Sequence, residues 1–189
     1  MKWRFCKITD ITKTEYEAIY NGLTPSRRAH IDRMKQQDDR LRSLAVTHLL
    51  NSILEEFGVC DSRLEVLENG KPHLVGSDLF FSLSHSEEGV AAVVSGTPVG
   101  IDIEKIEAKE ISIIIGIAKR WFCENEQNYI FDREFSSESF LYVWTRKEAL
   151  SKLSGLPFAT VSVRDTFTCE EHIDTVMDDG YIISIATNI

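Results

Sequence analysis

Val99-Gly100-Ile101-Asp102-Ile103-Glu104 is the stretch that most restricts how this chain can fold. Apolar and acidic side chains alternate along it, which is the period of a strand. In a strand, Val99, Ile101 and Ile103 share one face and can anchor it in a core, while Asp102 and Glu104 share the other. Gly100 leaves space for another backbone to come close. Two carboxylates on one face repel each other unless a cation, a proton or water relieves them. A hard cation such as Mg2+ suits an oxygen pair of this kind. From spacing alone, an exposed edge carrying two solvated acids is the simpler reading.

What surrounds this strand is bounded by composition. The 189 residues, 43% of them hydrophobic, suffice for one good core or two small ones. A formal charge of -9, from 30 acids against 21 Lys and Arg, argues against a nucleic-acid coat and leaves room only for a local basic patch. Cys6, Cys60, Cys123 and Cys169 lie far apart and form no CxxC pair. That disfavours structural zinc and fits reduced thiols in a cytoplasmic protein. The N-terminus lacks a signal-peptide pattern, and the greasiest run, 111–118, is far too short to span a membrane.

In chain order, the pattern predicts a strand at 3–8, a helix at 14–21 and a second helix opened by Pro25. Between Arg27 and Arg42 six basic residues face three acids, a local balance of +3. Such a run is either a phosphate site, for which Arg offers a fork of donors, or a solvated helix face. Apolar residues from Leu41 to Phe57 recur at helical spacing, predicting a helix over 38–57 that Gly58 stops. A strand is expected at 62–67, a turn at Glu68-Asn69-Gly70-Lys71-Pro72, a strand at 79–84 ending in Ser84-His85-Ser86, and a buried strand at 90–94.

After Glu104 the pattern predicts a helix at 113–121, with Ile113 and Phe122 widening its apolar face, then a short helix and loop over 123–136. A stronger helix spans Ser137 to Leu153, with Ser137 able to cap it and Gly155 and Pro157 ending it. Trp144, Glu148 and Lys152 mark one side of that helix. They are either a plain Glu-to-Lys helix pair or a third acid and a cation for the strand at 99–104. Two further strands are expected, at 159–163 and 181–186, separated by an acidic turn region from Glu170 to Gly180. The chain divides near Pro98 into parts of similar size, 1–98 and 99–189, each with helices and a few alternating strands.

Four motifs now stand in one order: Gly70-Lys71-Pro72, Phe81-Ser82-Leu83-Ser84-His85-Ser86, Gly100-Ile101-Asp102-Ile103-Glu104 and Trp144-Thr145-Arg146-Lys147-Glu148-Ala149-Leu150-Ser151-Lys152. Together they resemble the 4'-phosphopantetheinyl transferases, in particular the larger monomeric type with two pseudo-symmetric halves. The resemblance implies an α+β fold. Each α/β half would be a small antiparallel-rich sheet packed against a long helix, with coenzyme A in the cleft between the halves. It implies an enzyme that transfers the 4'-phosphopantetheine arm of coenzyme A to a serine of an apo acyl, peptidyl or aryl carrier protein. Adenosine 3',5'-bisphosphate would be released.

Carried over by motif, the resemblance makes Asp102, Glu104 and Glu148 the Mg2+ ligands. It sets Ser84 and His85 by the adenosine phosphates and Lys71 and Pro72 on the nucleotide. Lys152 would touch the pyrophosphate, and Arg27, His30 and Arg42 would meet the 3'-phosphate. Ser82 stands where the family commonly has asparagine, and His30 where it usually has a cation. Residues 111–123 match the region that faces the carrier. In chemical terms, Lys152 and His85 would add positive donors around the pyrophosphate, and Glu148 would take the serine proton, directly or through water. A water held by Glu104 is the variant. Nucleic acid and membrane are not expected partners. Two other classes fit the same residues: a non-catalytic coenzyme A or carrier-binding protein, and a different Mg2+-dependent phosphoryl-transfer enzyme.

Overall fold

Two long helices with apolar sides and two strands buried on both faces dictate the layering. The structure, a computed structural model, describes residues 1–59, 64–66 and 72–188. In chain order the elements are β1 (Lys2–Lys7), a 3-10 turn (Ile8–Asp10), α1 (Lys13–Gly22), α2 (Pro25–Asp32), α3 (Gln37–Glu56), β2 (Leu64–Val66), β3 (Pro72–Leu74) and β4 (Phe80–Ser86). Then follow β5 (Gly89–Ser95), β6 (Val99–Lys105), α4 (Ile111–Trp121), α5 (Glu124–Phe131), α6 (Ser137–Ser154), α7 (Phe158–Val161), β7 (His172–Asp178) and β8 (Tyr181–Thr187). The strands form two antiparallel three-stranded sheets, ordered β1-β5-β4 and β6-β8-β7, and a β2-β3 pair. The chain is thus α+β.

β5 and β8 sit in the middle of their sheets, and each is apolar on both faces for that reason. Val90, Ala92 and Val94 pack with Leu49, Leu50, Ile53 and Leu54 of α3. Ala91 and Val93, on the other face, pack with Val99, Ile101 and Ile103 of β6 and with Tyr181, Ile183 and Ile185 of β8. The opposite face of β8 gives Ile182 and Ala186 to the residues of α6. The order of layers is therefore α3, first sheet, second sheet, α6. Each fully buried branched side chain in this stack contributes about 1.5–3 kcal/mol.

Several sequence expectations change. Residues 159–163 do not form a strand: Pro157 precedes a helical turn, α7, that ends at the buried Val161, and Val163, two residues beyond it, is 77% exposed. A strand would have put both valines on one face. The acidic stretch from Glu170 is not mainly a turn but contains β7, and only Asp179-Gly180 turns. Both take positive φ, 45° and 81°, as a two-residue hairpin requires. The charges on β7 belong to an edge strand, where they discourage pairing with other chains. Ser136, not Ser137, caps α6, accepting the Ser139 N–H at 3.2 Å, while Ser137 Oγ accepts the Lys109 N–H at 2.8 Å. Ile114 and Ala118 of α4 and Phe122 just after it are buried, but Ile113 is 51% exposed. The strand expected at 62–67 is represented by β2, whereas the turn at 68–71 lies outside the described residues. Among the described residues no helix is long and apolar enough to cross a membrane. Cys6, Cys123 and Cys169 are free thiols, and Cys60 lies outside the described residues.

Candidate active site

Gly100 decides where the site forms. A Cβ built there would lie 2.0 Å from the Ala149 carbonyl oxygen and 2.5 Å from the Leu153 amide nitrogen. The backbones of β6 and α6 therefore touch, which only glycine permits. On the helix the contact falls on Ala149 and Leu153, each next to Glu148 or Lys152, and on the strand two residues before Asp102. It brings those three side chains together.

Asp102 is 5% exposed. Its Oδ1 accepts from Lys152 Nζ at 2.7 Å and from Ser84 Oγ at 2.8 Å, and the same ammonium donates to Ser84 Oγ at 2.8 Å. Burial raises the Asp102 carboxyl above its ordinary range, with the Lys152 charge and both hydrogen bonds acting the other way. Glu104 is half-buried, and its Oε2 accepts from Ser86 Oγ at 2.8 Å. Burial raises it too, opposed by the Ser86 bond and reinforced by the Asp102 charge. Glu148 is raised by burial and then by Asp102, with Glu104 adding to the effect and Lys152 offsetting part of it. The three carboxylates expected as a set thus feel one another across β6 and α6.

Their fit to a divalent cation rests on donor chemistry. Among the described residues Asp102 Oδ2 is buried with no hydrogen-bond partner. An oxygen of that kind, beside two further desolvated carboxylates, suits a hard cation. The three do not converge tightly, however. Among the described residues the trio with all ligating atoms within 4.8 Å of one another is Cys123, Glu126 and Asp165. That second group is already occupied by a cation of the chain itself. Lys147 Nζ lies 2.7 Å from Glu126 Oε2 and donates to the carbonyls of Ser162, at 2.7 Å, and Arg164. Lys147 and Glu126 are both 0% exposed, so this is a buried structural ion pair.

Of the residues expected on the nucleotide, Arg42, Ser84 and His85 gather beside the other sheet. A cavity of about 360 Å³ is lined by Met34, Asp39, Arg42, Ser43, Ser84 and His85, among others. Arg42 is anchored through Asp39 Oδ1 at 2.6 Å and the Glu87 carbonyl at 3.0 Å. Burial lowers His85 below its usual value, and the charges of Arg42 and Lys152 lower it further. Lys152 and Asp102 both act on His85, which ties the cavity electrostatically to the acidic cluster. Arg27 reaches the wall of the cavity through Ser43 Oγ at 2.9 Å and is also held by Thr47 Oγ1 at 3.2 Å. His30 is exposed on α2 and does not line the cavity. Lys71 lies outside the described residues, and Pro72 opens β3.

Two contributors escape the sequence reading. Asp39 is an acid inside the basic segment and becomes an anchor for Arg42 only when α3 forms, three residues apart. Ser86 stands in the serine-histidine motif, but its partner is on another strand. The available signal was the period of two: Ser82, Ser84 and Ser86 on one strand against Asp102 and Glu104 on another.

Comparison with known proteins points the same way. A family model described as the 4'-phosphopantetheinyl transferase superfamily matches residues 98–178, a span that contains Asp102, Glu104, Glu148 and Lys152. The chain is 30% identical over 164 residues to 4'-phosphopantetheinyl transferase Sfp of Bacillus subtilis, covering 82% of this chain and 71% of that one. It is 33% identical over 149 residues to 4'-phosphopantetheinyl transferase psf-1 of Bacillus pumilus, covering 76% and 62%. It is 42% identical over 90 residues to 4'-phosphopantetheinyl transferase gsp of Aneurinibacillus migulanus, covering 47% and 36%.

Proposed function

The chain belongs to the 4'-phosphopantetheinyl transferase superfamily, and from that premise we propose how its residues carry the reaction. The enzyme transfers the 4'-phosphopantetheine arm of coenzyme A to a serine of an apo carrier protein. Residues 1–98 form the nucleotide side, and residues 99–189 supply the carboxylates and the carrier-facing region. The cavity beside α3 takes the adenosine phosphates, with Arg42, Ser84 and His85 in its wall and Arg27 behind Ser43. The motif would add Lys71 and Pro72 to the nucleotide contacts, and His30 would join them only from outside the cavity wall. Action as a monomer in a cytoplasmic setting belongs to the same reading, and the free thiols Cys6, Cys123 and Cys169 are in keeping with that setting.

Asp102, Glu104 and Glu148 would hold Mg2+, which when bound neutralises charge building on the pyrophosphate oxygens. Lys152 sits beside Asp102 and directs a second positive charge at the same group. His85, whose charged form is disfavoured by burial and by the Arg42 and Lys152 charges, would offer a hydrogen-bond donor toward the nucleotide. The serine oxygen of the carrier forms a bond to the β-phosphorus of coenzyme A as the bond to adenosine 3',5'-bisphosphate breaks. Glu148 accepts the serine proton, directly or through a water, since its carboxylate is not tied into the Ser84–Lys152 or Ser86 contacts. Water held by Glu104 is the variant route.

The observation that carries this reading is the β6–α6 contact at Gly100, which assembles Asp102, Glu148 and Lys152 from elements some fifty residues apart. The test is incubation with coenzyme A, Mg2+ and a panel of apo carriers, read by intact mass. A gain equal to the phosphopantetheine group, with adenosine 3',5'-bisphosphate released, is expected. Coenzyme A binding with no gain on any carrier would favour a non-catalytic binder instead. R42A should weaken coenzyme A more than its 3'-dephospho form, and equal losses would remove Arg42 from the 3'-phosphate.

A further inference from the structure

β4 and β6 are edge strands of different sheets, yet they lie side by side, and serine side chains connect them. Ser82 Oγ accepts the Ile101 N–H at 3.1 Å. Ser84 Oγ meets Asp102 Oδ1 at 2.8 Å. Ser86 Oγ meets Glu104 Oε2 at 2.8 Å and the Lys105 N–H at 3.2 Å. The period of two along β4 directs all three hydroxyls toward β6.

We propose that Ser86 is a positioning residue for Glu104, holding one carboxylate oxygen so that the other stays directed into the site. A serine hydroxyl has one proton and two lone pairs. The Lys105 N–H can only donate, so it occupies a lone pair of Ser86 Oγ. The single serine proton is then free to go to Glu104 Oε2. This chain of donors starts from a fixed backbone amide of β6 itself, so the carboxylate is oriented by its own strand through a side chain of the opposite sheet. The nucleotide side of the molecule thereby sets the geometry of the acidic side. Ser82 makes a comparable crossing but reaches only backbone, so it joins the sheets without touching a carboxylate.

The inference rests on the reading of Glu104 as a holder of Mg2+. Losing a group that orients a metal ligand typically weakens the metal about 10–100-fold. S86A should therefore raise the Mg2+ concentration for half-maximal transfer by about 10-fold or more. It should weaken Mg2+ binding to the substrate-free protein, measured by calorimetry, to the same extent. S86T, which restores a hydroxyl with a strand-compatible side chain, should recover most of the affinity. S82A provides the structural control: it should lower the melting temperature in EDTA as S86A does while leaving the Mg2+ titration near wild type. If S86A and S82A titrate alike, Ser86 merely joins the sheets and the inference fails alone. If the wild-type protein neither binds nor requires Mg2+, the metal reading fails and this inference with it.

Discussion

Replacing Gly100 by alanine tests the site through its architecture and leaves every polar side chain in place. The added Cβ would sit 2.0 Å from the Ala149 carbonyl oxygen, and ordinary contact begins at 3.4 Å, so β6 and α6 must separate by about 1.4 Å. Backbone atoms on both sides leave no flexible side chain to yield. Overpacking of this kind costs about 1–3 kcal/mol. For a chain of this size that lowers the melting temperature by about 2–12 °C. The same displacement stretches the Lys152–Asp102 contact from 2.7 Å to about 4 Å, beyond a hydrogen bond. A misplacement near 1 Å can cost about 100-fold in rate. G100A should therefore lose about 100-fold in turnover while remaining folded by circular dichroism. Gly22, at the end of α1, has nothing within 4 Å of its would-be Cβ, so G22A should keep both activity and stability. A G100A protein with wild-type turnover and melting temperature would refute the claim that this contact assembles the site.

Other outcomes follow from the same geometry. D102A should abolish Mg2+-dependent transfer yet melt no lower than wild type in EDTA, because burial already disfavours the Asp102 charge. A purified D102A with full transfer would end its proposed role. E126Q should cost about 3–5 kcal/mol in urea unfolding by leaving Lys147 charged and buried. The double change E126Q with K147M should recover much of that loss, and purely additive losses would show that the pair does not act as a unit. Binding of coenzyme A at pH 6 should take up a proton, because burial and the Arg42 and Lys152 charges hold free His85 below its ordinary value and an incoming phosphate favours its charged form. The uptake should vanish at pH 8 and in H85N. Calorimetry in buffers of different ionisation heat reads it, and equal heats in all buffers at pH 6 would exclude His85 from the phosphates.

The parts of this protein legible before folding are those whose signal is local. Helical spacing from Leu41 to Phe57 and from Phe140 to Leu150 marked α3 and α6, and the alternation at Val99–Glu104 marked β6 and separated its apolar face from its acids. The motif order carried the family. Legibility failed where two local signals conflicted. Residues 159–163 alternate like a strand, but Pro157 precedes a helical turn, and Lys147 of another helix takes the Ser162 carbonyl just past its end. The stretch after Glu170 is acidic like a loop, but Tyr181–Thr187 offers it a partner, and pairing makes it β7.

The amino-acid order alone determined that two acids share a strand face, that Glu148 and Lys152 share a helix side, and that a glycine precedes Asp102. Whether those groups meet was decided only by the tertiary structure. Gly100 can admit a helix, but nothing within 99–104 says which one, and Ser86 can hold a carboxylate, but its partner lies 18 residues away in another sheet. Side-chain period is a property of neighbouring residues, whereas the packing of α6 on β6 and the crossing from β4 to β6 depend on how whole layers bury their apolar faces.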